Sequence, residues 1–201
     1  MPPAIPDCDE LFTRFFAPWY SAQELSGRGF AATRPDMLQY SEHIGKAASE
    51  ISRLRLDAQS RFVDHLSNTM TDAAIGDFGN LLALTTPVGF QWIQAIDDYY
   101  DVDHIDKLIA ESDPDEDGNA YFITCIELGT LIAKMMQALV PDLQWMADSP
   151  YWESALWHPA SGYLIPPTHW AIQKLSDYGW NDGLVPKIHC AAETLQSESG
   201  M

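Results

Sequence analysis

Asn119 to Val140 reads NAYFITCIELGTLIAKMMQALV, and this stretch constrains the fold more than any other. It holds no Pro, and only Glu127, Lys134 and Gln137 interrupt an otherwise apolar surface. A run of this length that is apolar nearly all round forms either a central buried helix or a membrane span. The charges on Glu127 and Lys134, the acidic run before the stretch and Pro141 after it select the buried helix. Asp117 or Asn119 is placed to cap its first turn, because a short polar side chain there accepts from an orphan backbone N–H. Pro141 blocks continuation, since proline has no N–H to donate and its ring clashes with the preceding turn. Gly129 costs about 1 kcal/mol of helix propensity relative to Ala. Another element crossing close to the backbone there would account for that cost.

The flanking sequence supplies elements to cover this helix. Residues 1–35 read as an aromatic N-terminal arm, with Asp9 expected to cap a short helix from Glu10 to Ala17 that Pro18 ends. Phe12, Phe15, Phe16, Trp19 and Tyr20 are expected to fold onto the core. From residue 36 to 70, Met37, Tyr40, Ile44, Ala47, Ile51, Leu54, Ala58, Phe62 and Leu66 recur at spacings of three and four. That spacing predicts one long amphipathic helix. Residues 71–87 read as a further helix containing two glycines. Pro87 then opens a helical stretch whose face carries Val88, Trp92, Ile96 and Tyr99, and Ile105, Leu108 and Ile109 predict a short helix after it.

Beyond Pro141 the character changes. Trp145, Trp152 and Trp157 alternate with prolines and turn dipeptides, which predicts a small antiparallel sheet from about Leu143 to Ile165 with Ser161-Gly162 at a turn. Thr168 is expected to cap a closing helix that ends at Gly179, and residues 184–195 predict a last short helix before a polar tail. The fold class expected is α+β, predominantly helical, with a central buried helix and a small antiparallel β-hairpin or meander. The 201 residues suit one domain: the arm at 1–35, a helical part at 36–140, and a small sheet with closing helices at 141–190.

Charge narrows the function. The formal net charge is −18, a surface that repels nucleic acid and anionic lipid and attracts basic partners; its plain alternative is a role in solubility. From Asp97 to Asp117 there are ten Asp or Glu residues against one Lys, a local net of −9. Cys8, Cys125 and Cys190 are too few and too widely spaced for a disulfide framework or a zinc site. The N-terminus lacks a basic segment followed by an apolar one, so no signal peptide is expected and a cytoplasmic location is.

The sharpest motif is DPDEDGNAYFIT, in which Asp113, Asp115, Asp117 and Gly118 match the first, third, fifth and sixth positions of a calcium loop. Its twelfth position is Thr124 rather than a bidentate Glu, and Glu127 comes three residues late. The weaker claim is an acidic N-terminus that favours the helix dipole. No nucleophile elbow, phosphate loop, dinucleotide fingerprint or paired histidine spacing occurs. His158 and His169 read as structural, and no cofactor, metal or catalytic residue is expected.

ELGTLIAKMMQAL, then LQW, a Trp/Tyr-rich hairpin and GYLIPPTHWAIQKLSDYGWNDGL together resemble a broad group of small bacterial α+β proteins over about residues 81–189. Some of these look like immunity proteins that partner secreted antibacterial toxins. The group often carries a Gly-Glu pair late in the first helix, where this chain has Leu131-Ile132-Ala133-Lys134. The resemblance implies a non-catalytic inhibitor that occludes a basic toxin. The surface expected to meet the partner is Asp97, Asp98, Asp101, Asp103, Asp113, Asp115 and Asp117, with Trp152 and Glu153 at a second rim. The alternatives are an amphipathic scaffold similar to granule-coating phasins, self-associating or binding apolar granules through residues 36–70 and the N-terminal aromatic arm, and a small hydrolase or calcium-binding protein.

Overall fold

The computed structural model describes residues 5–26, 30, 36–39, 85–114, 119–146 and 155–199. Asn119 starts the central helix: its side-chain oxygen accepts from the Phe122 N–H at 3.0 Å, and its amide donates to the Phe15 carbonyl at 3.2 Å. One residue thus caps the helix and ties it to the N-terminal arm. The helix, here α5, runs Ala120–Leu139, and Val140 closes it just before Pro141. Among the described residues it is the one helix long and apolar enough to cross a membrane by composition, and 61% of that window is buried within the molecule. Tyr121, Phe122, Cys125, Ile126, Leu131, Ile132, Met135 and Met136 are all enclosed, so burial rather than intrinsic propensity sustains it.

The covering elements follow in chain order. Helix α1 is Cys8–Phe15, and its N-cap is Asp7, which accepts from the Glu10 N–H at 2.8 Å. The start is therefore two residues earlier than Asp9 capping would give, since the Asp7 carboxylate rather than that of Asp9 reaches the third free N–H of the helix. A 3₁₀ turn, Ala17–Trp19, and a short α2, Ala22–Leu25, follow. The arm folds onto the core as expected: Phe15 lies 4.9 Å from Tyr121 and Phe16 4.8 Å from Phe122, centroid to centroid.

Leu38–Gln39 form strand β1, a correction to the expected helix from 36 to 70: their backbone pairs with a sheet edge instead of continuing a helical turn. The remainder of that expected helix, and the one at 71–84, lie outside the described residues. Helix α3, Thr86–Tyr99, opens with Pro87 in its first turn, where a missing N–H costs nothing. Asp101 then caps α4, Val102–Glu111, by accepting from the His104 N–H at 3.0 Å.

After α5 come strands β2 (Gln144–Met146), β3 (Ala155–Trp157) and β4 (Tyr163–Ile165). The order is β1-β4-β3-β2 with every pairing antiparallel, so the chain makes a three-strand meander to which β1 adds an edge. The β3–β4 turn needs a positive φ at Gly162 (74°), and the Ser161 hydroxyl beside it lies 2.7 Å from His158 Nδ1. Helix α6, Pro167–Lys174, is buried along its whole length against α5, and α7, Leu184–Ser199, closes the molecule. Pro166, not Thr168, occupies the cap position of α6, and α7 runs on through the polar tail. The fold is α+β and predominantly helical, built around α5.

Candidate functional site

The α3–α4 corner and the loop from Trp180 to Gly183 line an open pocket of about 320 Å³. Asp97 and Lys174 are at its floor, Asp98 and Asp101 on one wall, and Trp180 and Asp182 on the other. The floor is a buried ion pair: Asp97 Oδ1 is 3.1 Å from Lys174 Nζ, with the two side chains 8% and 3% exposed. That contact is ionic without hydrogen-bond alignment. The Lys174 ammonium also donates to the carbonyls of Trp180 (3.0 Å) and Asp182 (2.9 Å), which fixes the loop over the pocket. Asp97 Oδ2 accepts from the Leu184 N–H at 2.8 Å and the Val185 N–H at 3.4 Å, so the same carboxylate holds the start of α7. A charge this deeply desolvated is tolerated because it is paired and hydrogen-bonded.

The walls differ from the floor. Asp98 and Asp182 are exposed, Gln94 Nε2 donates to Asp98 at 2.9 Å, and Trp180 stands on the rim as an exposed aromatic. Backbone and ring hydrogen bonds from His104 hold the Asp101 carboxyl below its ordinary range, which keeps it ionised. Four aspartates lining the pocket face one lysine, a net of −3. That balance favours a cation over a carboxylate or phosphate, which would meet like charge there.

The acidic residues picked from sequence separate here. Asp97 points inward, where its carboxylate meets Lys174 and the N–H groups at the start of α7. Asp98, Asp101, Asp103 and Asp113 are exposed, with Asp98 and Asp101 on the pocket wall. Asp115, Asp117, Trp152 and Glu153 lie outside the described residues. The calcium reading loses its twelfth position, since Thr124 sits within α5 and donates its hydroxyl to the Ala120 carbonyl at 2.7 Å. No group of three or more His, Cys, Asp or Glu among the described residues is disposed to hold a metal ion. Lys174, Trp180 and Asp182 were not read from the sequence as site residues. The only local signal was the Asn181-Asp182-Gly183 turn, and nothing in a linear reading brings it beside Asp97.

Two of the three cysteines are buried. Burial pushes the Cys8 thiol up to about 11 and the Cys125 thiol higher, so both are protonated at neutral pH. The ammonium of Lys174 is committed to its three oxygen partners. No protein-family model, curated protein or solved structure matches the chain.

Proposed function

We propose that the chain is a non-catalytic acidic binding protein that captures a basic protein, of the immunity or inhibitor type, and occludes its working surface. The observation that carries this reading is the pocket at the α3–α4 corner, with ionised walls, aromatic rim and a lysine whose charge is already neutralised. A Lys or Arg side chain of the partner fits that chemistry: carboxylates pair with it, and the face of Trp180 offers a cation–π contact. The overall charge steers the encounter, and aromatic anchors slow release. The toxin class of the partner rests on the sequence resemblance and is the finer part of the proposal. The scaffold alternative depends on residues 36–70, of which only 36–39 are described, and on the aromatic arm, whose Phe12, Phe15 and Phe16 are buried in the core.

The test is stopped-flow association with the basic partner at low salt, using Asp98→Lys combined with Asp182→Lys. Both side chains are exposed, so the fold tolerates the change. The on-rate is expected to fall about tenfold or more and to lose much of its salt dependence. An unchanged on-rate would remove the pocket from the binding surface.

A further inference from the structure

The outer face of α3 carries a second feature. Val88, Trp92 and Tyr99 are three of the five exposed large hydrophobic residues among those described, at 36%, 51% and 52% exposure. With the exposed Ala95 they follow a spacing of four, three and four. At about 100° per residue, all four fall within about 60° of arc. The stripe is about 17 Å long at 1.5 Å per residue. It is not the packing face, which is formed by Gly89, Ile93, Ile96 and Tyr100 against the core. Gly89 seats the Met135 side chain there, only 2.4 Å from where a Cβ would stand. A helix with two apolar stripes has an outer one left to cover.

The surroundings specify the occupant. No Lys or Arg occurs between Arg61 and Lys107. Asp98 lies on the same outward side of α3, between the stripe and the pocket, and Asp101 and Asp103 follow at its C-terminal end. A second copy of this chain brings −18 against −18, and an anionic membrane repels this face in the same way. We infer that the outer face of α3 docks a basic amphipathic helix of the partner, about three turns long, whose apolar side chains cover Val88, Trp92, Ala95 and Tyr99. Its Lys or Arg residues then face Asp98 and the pocket. This is helix-on-helix recognition with anchors at i, i+4, i+7 and i+11. It rests on the reading that the partner is basic and adds the shape of the partner's contact segment.

The experiment uses the full chain labelled with 5-fluorotryptophan, with Trp92→Phe assigning the Trp92 resonance. The probe is a synthetic 16-residue helical peptide with Leu at i, i+4, i+7 and i+11 and Lys elsewhere; a second peptide has the same composition in scrambled order. The patterned peptide is expected to shift the Trp92 signal and to bind at least tenfold tighter than the scrambled one. Trp92→Ala and Tyr99→Ala, both at exposed positions, are each expected to weaken it about tenfold. Equal binding of the two peptides, unaffected by either variant, overturns the docking face while leaving the acidic reading intact. Failure of both peptides to bind at low salt overturns the acidic reading itself. A Trp92 signal insensitive to solvent isotope in the free protein means the stripe is already covered, and overturns the inference. Concentration dependence of that shielding would then assign the cover to a second copy, and its absence to the chain's own residues 40–84.

Discussion

Gly129 sits where α6 crosses α5. A Cβ added there would stand 2.9 Å from Thr168 Cα and 3.1 Å from Thr168 N, and backbone cannot swing aside as a flexible side chain can. The close crossing inferred from a glycine inside an apolar helix is present, because the cost of that glycine had a cause in packing. Gly129→Ala should gain about 1 kcal/mol of helix propensity and lose more to overpacking, which costs about 1–3 kcal/mol. A lower urea midpoint is the expected result; an unchanged or higher one would show that α6 is free to shift. Asp97 and Lys174 teach the opposite lesson. Asp97 looked like one more acid in an acidic run, and its inward direction was illegible because its partner is 77 residues away. Lys174→Met leaves that carboxylate buried without its counter-charge, so it should destabilise by about 3–5 kcal/mol. Pairing it with Asp97→Leu should recover part of the loss in the same denaturation assay.

At the scale of elements, α5 was legible because its signal is local: length, apolar faces, a capping Asn and a terminating Pro all point one way. Strand β1 was not, since two residues joined to a sheet edge leave no periodicity of their own and sat inside a run with helical spacing. The α5–α1 contact also carries a pH dependence. Desolvation raises the Cys8 thiol to about 11, with the Ser176 hydroxyl opposing it, and raises Cys125 and Tyr121 as well. The folded state therefore keeps these protons while the unfolded chain releases them. Stability is complete below about pH 9 and falls as pH rises from there toward 11, by about 1.4 kcal/mol per unit for each of the two thiols, with Tyr121 adding its share only above about pH 10. Urea unfolding at pH 8 and pH 10 should show that loss, and Cys8→Ala should flatten its slope. A stability independent of pH across that range would mean the thiol of Cys8 is hydrated in the folded state.

At the scale of the molecule, the pocket gathers four aspartates beside the exposed Trp180, and the exposed Trp92 and Tyr99 lie on the adjoining helix α3. The pocket, its Trp180 rim and the outer face of α3 adjoin one another, while Phe12, Phe15, Phe16 and Phe30 of the arm and Trp170 of α6 are buried. The net charge of −18 could be read from composition. The pocket could not, because it is assembled from residues 94–101 and 174–186, and no spacing within either segment announces the other. The account's central claim is that this acidic side binds one basic protein. It is tested by capture from the native host at low and high salt, with the intact chain and the Asp98→Lys, Asp182→Lys variant side by side. The account predicts a single stoichiometric basic protein, held by the intact chain at low salt and lost both in high salt and with the variant. Equal recovery by both chains, or no protein held by the intact one, would contradict it.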